Sequence, residues 1–240
     1  MALAAVAAFA GAAVQSATGF GFALVLSPAL FAVMDDPVEA VTALLVLGLA
    51  LNLLVLFEGG RPEHVDWRAL APMLVAALPG LVVGAVALTE LSKEVLQVTV
   101  GVAVIAAAGW QLRRREGHTH LSPAAAWGAG FASGALTTSI SVSGPPLVLW
   151  LEARGVRPEE FRASLAASFL ALNLAGGIVL LAAGSGAFDA GAVAALLVLV
   201  IAGYALGAVA FRRLDREKFF KLVLVLVALT GSASVVAGLA

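Results

Sequence analysis

Ser139-Ile140-Ser141-Val142-Ser143-Gly144-Pro145-Pro146 interrupts an apolar run that extends from 124 to 150. Thr18-Gly19-Phe20-Gly21 interrupts a second one, from 2 to 34. Glycine and paired prolines break helices. As one helix, run 2–34 would be about 50 Å long at 1.5 Å per residue. A hydrocarbon core of about 30 Å needs far less. Each run therefore reads as two half-helices around an unwound middle.

Six further apolar runs lie at 39–57, 69–88, 95–112, 163–183, 190–210 and 222–239. The 240 residues are 62% hydrophobic and 12% charged, with a mean hydropathy of +1.04. Soluble domains average about 45–50% apolar and about 25% charged. Too little polar surface remains to cover a water-soluble globule, which rules out a disordered chain and a secreted disulfide scaffold and argues strongly against a soluble enzyme. Backbone groups in lipid must be satisfied internally. Alanine, leucine and valine runs of these lengths mean helices, not barrel strands of period two. The fold class is all-α, a polytopic integral membrane protein.

The net charge of −1 offers no basic tail, so nucleic acid is not a partner. With no cysteine there are no disulfides, thiolate metal sites or cysteine nucleophiles. A secretory signal opens on a positive region, whereas the first basic residue here is Arg61. Run 2–34 is therefore read as mature membrane chain.

The chain is internally duplicated. Leu49–Leu53 and Leu170–Leu174 both read LALNL, and Pro37/Pro158 and Glu39/Glu160 match at the same shift. At a shift two residues longer, Asp66 meets Asp189, Gly80 meets Gly203, Gly84-Ala85-Val86-Ala87 meets Gly207-Ala208-Val209-Ala210, and Glu94 meets Glu217. The two broken runs align only with gaps. The repeats are 1–115 and 122–240, each a broken run plus three helices.

Basic residues mark cytoplasmic loops. If every run crossed once, nine of the fourteen would fall on one side and five on the other. If each broken run is a re-entrant hairpin, every basic residue except Lys93 falls on one side. The second arrangement is favoured, and it gives the repeats inverted topology. Two short crossings per broken run would give the same sidedness. All four tryptophans (Trp67, Trp110, Trp127, Trp150) lie at run ends, where an interfacial aromatic belt is expected.

These motifs resemble a known family. Gly19-Phe20-Gly21-Phe22-Ala23-Leu24 is followed by Pro28, Pro37 and Asn52. Ser143-Gly144-Pro145-Pro146-Leu147-Val148-Leu149 is followed by Pro158, Phe161-Arg162-Ala163 and Asn173. The pattern is similar to the sulfite exporter TauE/SafE family, also called the toluenesulfonate uptake permease family, over essentially the whole chain. The resemblance implies a bacterial-type inner-membrane permease for sulfur-containing or organic anions.

Inverted repeats with broken helices point to a central transport site, because half-helix N-termini direct free N–H groups at an anion. Proline in a first helical turn costs no hydrogen bond, so Pro145-Pro146 suits a half-helix start. The candidate substrate ligands are Gln15, Ser16, Thr18, Gly19, Gly21, Thr138, Ser139, Ser141, Ser143, Gly144 and Pro145, with Asn52 and Asn173 at equivalent mid-run places. Thr137 adds a further donor. The hydroxyls could instead bond back to their own helices, and the asparagines could be interhelical glue. Arg162 opens the 163–183 run, either snorkelling or as a cytoplasmic gate that attracts anions. Gly80/Gly84 and Gly203/Gly207 read as close-packing ridges.

No acidic residue lies clearly inside a run: Glu39, Glu58, Glu90, Glu94, Glu152 and Glu160 are at run ends, and His64, His118 and His120 are in loops. A proton relay or an intramembrane serine protease has no buried partner group. Cofactors and metals are not expected. The partners are a small anion and the lipid bilayer, with homo-oligomerisation left open. The reading is export by alternating access; uptake of an organosulfur or carboxylate anion, or an uncoupled anion channel, is the competing one.

Overall fold

Asp36 accepts a 2.9 Å hydrogen bond from Val38 N, and Pro37 follows it as the first residue of a 20-residue helix. Asp66 and Asp189 do the same work for two later helices. Asp66 accepts from Ala69 N at 3.1 Å, and Asp189 accepts from Gly191 N at 2.8 Å and Ala192 N at 3.1 Å. Such caps satisfy N–H groups that a helix leaves unpaired. The computed structural model describes residues 2–58, 65–113, 123–186 and 188–211, with 232, 235–236 and 238–239. The run 222–239, the three histidines, Arg61, Arg114, Arg115 and the 212–221 basic cluster lie wholly or mostly outside them.

Among the described residues the chain is helix and loop, with no strand. The order is α1 (Ala2–Thr18), α2 (Phe22–Val33), α3 (Pro37–Leu56), α4 (Trp67–Glu90), α5 (Lys93–Arg113), α6 (Pro123–Ile140), α7 (Gly144–Ala153), α8 (Pro158–Ala182) and α9 (Ala190–Phe211). By length and composition, four described helices can cross a membrane: α3, α4, α8 and α9. The chain is an all-α polytopic membrane protein.

Its surface is apolar where a soluble protein's would be polar. Val75, Leu78, Val82, Val83 and Val86 along α4 are exposed, as are Leu174, Ile178 and Leu181 on α8 and Val198, Ile201 and Leu206 on α9. Contiguous apolar exposure on this scale fits contact with lipid. Polar groups go inside: Gln15, Asn52, Thr137, Thr138 and Ser168 are all buried. Trp67 and Trp127 are about half exposed. Trp150 departs from the aromatic-belt expectation, because its ring is buried beneath the Arg154 guanidinium, 4.9 Å from the ring centre.

Lipid supplies no hydrophobic drive between helices, so small residues let backbones touch. Gly80 of α4 lies on the Phe131 carbonyl of α6, and Gly130 of α6 on the Met73 carbonyl of α4. On the other flank, Gly203 of α9 lies on the Phe9 carbonyl of α1, and a Cβ at Gly207 would stand 2.6 Å from Ala13 Cα. Between these two pairs, α3 crosses α8, where a Cβ at Gly48 would stand 2.5 Å from Asn173 Nδ2.

The α2 helix folds back along α1. A Cβ at Gly11 would lie 2.9 Å from the Phe22 carbonyl, and one at Gly21 would lie 2.8 Å from Val14 Cγ1. Ionised groups gather at the two ends of α3, about 30 Å apart for a helix of this length. Lys93 pairs with Asp35 at 3.7 Å before α3, and Glu39 accepts from Asp189 N there. Past the other end, Arg162 pairs with Glu58 and Arg154 with Asp66, both at 3.2 Å.

Candidate functional site

The helical run stops at Thr18 because Gly19 (φ 87°) and Gly21 (φ 108°) take a left-handed backbone that L side chains rarely adopt. The second run stops at Ile140. There Ser141 holds φ 59° without being glycine, and its N–H still donates to Thr137 O at 3.0 Å. A non-glycine residue in this region stores local strain and tends to mark a functional segment. Gly144-Pro145-Pro146 then opens α7, whose capping residue Ser143 makes no capping bond.

The two breaks meet. Ser27 of α2 donates a 2.8 Å hydrogen bond to the Ile140 carbonyl at the end of α6. Between them lies a cavity of about 40 Å³, whose polar lining includes Gln15, Asn52, Ser141, Ser143 and Asn173. A water needs about 10–15 Å³ on this measure, so the cavity holds a few waters or one small ion. It is far below the roughly 300–1,000 Å³ of drug-sized sites.

The two asparagines differ. Asn52 is engaged on both sides of its amide: Gln15 Nε2 donates to its Oδ1 at 2.7 Å, and its Nδ2 donates to Gly48 O at 2.7 Å. Asn173 bonds no described residue through its side chain and faces the same cavity. The Ser141 and Ser143 hydroxyls are likewise unbonded to described residues and line the cavity. Among the described residues no ionised side chain lines it.

Of the sequence candidates, Gln15, Gly21, Asn52, Ser141, Ser143, Gly144 and Asn173 line this cavity, and the others do not. Thr18 Oγ1 lies 2.9 Å from Val14 O and 2.7 Å from Phe20 O. Thr138 donates to Leu81 O of α4 at 2.6 Å, and Ser139 to Ala135 O at 2.7 Å. Ser16 is buried with its Oγ unpaired. Gly19 packs against Arg162, and Pro145 lines a neighbouring apolar cavity.

Arg162 reaches the first break. Its Nη2 donates to the Ser16 carbonyl at 2.8 Å and to Glu58 Oε2 at 3.2 Å, and a Cβ at Gly19 would stand 2.9 Å from its Cγ. A cation here satisfies a carbonyl at the negative end of α1. The corresponding end of α6 is met by the neutral Ser27.

The model of the family described as sulfite exporter TauE/SafE matches residues 3–234. The chain belongs to the TauE/SafE sulfite exporter family. One curated relative, the probable sulfite/organosulfonate exporter TauE of Cupriavidus necator, is 31% identical over 163 residues, covering 65% of this chain. The match spans 62% of that relative's length. No solved structure matches.

For a TauE/SafE chain, the cavity offers neutral hydrogen-bond donors without a fixed charge. No group of three or more His, Cys, Asp or Glu residues that could hold a metal occurs among the described residues. Sequence reasoning did not single out Gly48, Ser27 or Glu58. Gly48 had a signal, since it stands one helical turn before Asn52 on the same face. Ser27 and Glu58 had none.

Proposed function

We propose that this TauE/SafE chain is an inner-membrane permease for small sulfur oxyanions, sulfite or a sulfonate. The observation that carries the reading is the cavity where two helix breaks meet, lined by the Asn173 amide and the Ser141 and Ser143 hydroxyls, which bond no described residue. Three such donors suit three sulfur-bound oxygens, and the nearby start of α7 at Gly144 contributes its positive end. The name of the Cupriavidus relative favours the same substrate class.

Transport proceeds by alternating access of two inverted repeats. The helix pairings support this: α1 on α9 corresponds to α4 on α6 when the repeats are exchanged, and α3 meets α8 at the centre. The segregation of Lys93 from Arg154 and Arg162 supports the sidedness, with the Arg162 end cytoplasmic. Arg162 draws the anion toward the first break and exchanges Glu58 for it as the gate opens. The function is transport rather than catalysis. Each negative charge leaving a cell gains about 2.3 kcal/mol per 100 mV, so export of a monoanion runs without a coupling ion.

Flux of sulfite in proteoliposomes under an imposed potassium diffusion potential tests this. Saturable movement toward the positive side, with no ion gradient beyond the potassium one that sets the potential, is the expected result. Flux that appears only when a proton or sodium gradient is also imposed, or no flux, would overturn it.

A further inference from the structure

A second cavity, about 360 Å³, adjoins the polar one. Phe20 and Leu24 line both, and Pro145 and Pro146 line the larger cavity directly after Gly144, which lines the smaller. Ala103 and Ala107 of α5 and Leu136 of α6 also line the larger cavity. Every described residue lining the larger cavity is apolar. An apolar cavity of about 150 Å³ takes benzene, so this one has room for a hydrocarbon group of several carbons.

The geometry points to a divided site for an amphiphilic anion. The sulfur oxyanion head sits in the polar cavity by Asn173 and Ser143, and a hydrocarbon tail passes Phe20 and Leu24 into the apolar chamber. This rests on the permease reading above and narrows it to organic sulfonates bearing an apolar tail of several carbons. Phe20 in the break and Leu24 in α2, which line both cavities, form the boundary between the parts. Ala103 and Ala107 set the depth of the chamber, because larger side chains there would fill it. Burying one methylene is worth about fourfold in affinity. A bare oxyanion forgoes that gain.

The test measures half-saturating concentrations for sulfite, methanesulfonate, butanesulfonate and hexanesulfonate in proteoliposomes of the full chain. In the wild type, affinity rises about fourfold per methylene from methanesulfonate onward until the chamber is full. Ala107→Leu lowers the hexanesulfonate-to-methanesulfonate affinity ratio by about tenfold. Ala103→Leu does the same by an independent side chain, and Leu136→Ala raises the ratio. Affinity independent of tail length, the outcome if a lipid acyl chain fills the chamber, would overturn the divided site while leaving the permease reading in place. Ratios unchanged in all three variants would overturn it equally. Absence of saturable flux for all four anions would instead overturn the permease reading.

Discussion

Gln15 Nε2 donates a 2.7 Å hydrogen bond to Asn52 Oδ1, whereas Asn173, the asparagine of the second LALNL segment, bonds no described residue through its amide. The same residue type therefore does two jobs at corresponding places. Asn52 braces the first broken run against α3, while Asn173 presents donors to the cavity.

The brace has a measurable strength. Hydrogen bonds between membrane helices average about 0.6 kcal/mol and reach about 1.7 kcal/mol. Gln15→Leu and Asn52→Leu should each lower the unfolding temperature in detergent. A double-mutant cycle should return a coupling of about 1 kcal/mol. A coupling of zero would mean that the pair does not hold the break.

Glycines that carry helix packing should separate from those that do not. Gly80→Ala places a methyl on the Phe131 carbonyl and should cost the folded protein several kcal/mol, about what overpacking or backbone displacement costs. Gly177 has nothing within 4 Å of a Cβ, so Gly177→Ala should be neutral or stabilising by about 0.5–1 kcal/mol. Fluorescence size-exclusion profiles of the two variants compare them directly. Equal loss from both would remove the close-packing account.

The absence of cysteine makes sidedness testable by single replacements. Arg154→Cys and Arg114→Cys should label from the cytoplasm, and Asp35→Cys from the opposite side. Labelling of Arg154→Cys and Arg114→Cys from opposite sides would break the inverted arrangement of the repeats.

Arg162 should act on anion entry more than on folding. Arg162→Gln should reduce kcat/KM for sulfite about tenfold, the loss of one charge-assisted contact. Glu58→Gln should move half-saturation to lower concentration, because the guanidinium no longer has to leave a carboxylate. Unchanged kinetics in both would restrict Arg162 to satisfying the Ser16 carbonyl.

Legibility in the sequence followed chemical contrast. Gly19, Gly21 and the Gly144-Pro145-Pro146 start stood out because they cannot continue an apolar helix, and the structure ends α1 and begins α7 there. Asn52 and Asn173 stood out as amides in runs of leucine. The hydroxyls were less legible, because a serine or threonine in a helix can satisfy itself on a carbonyl one turn back. Thr137 and Ser139 do so, while Thr138 reaches across to α4. Ser141 and Ser143, lying in the break rather than the helix, do not. Leu44 and Phe169 also line the polar cavity, yet nothing sets them apart from other apolar residues in apolar runs. The Arg162–Glu58 pair was hidden because an ion pair between a helix and a distant turn leaves no spacing in the sequence.

The sulfite affinity of purified Asn173→Ala against wild type, read by isothermal titration calorimetry beside the unfolding temperature, tests the central claim most directly. A hydrogen bond to a charged group is worth about 1.5–3 kcal/mol, so the variant should bind roughly 10–100-fold more weakly at an unchanged unfolding temperature. Wild-type affinity in the folded variant would place the anion elsewhere and contradict the account.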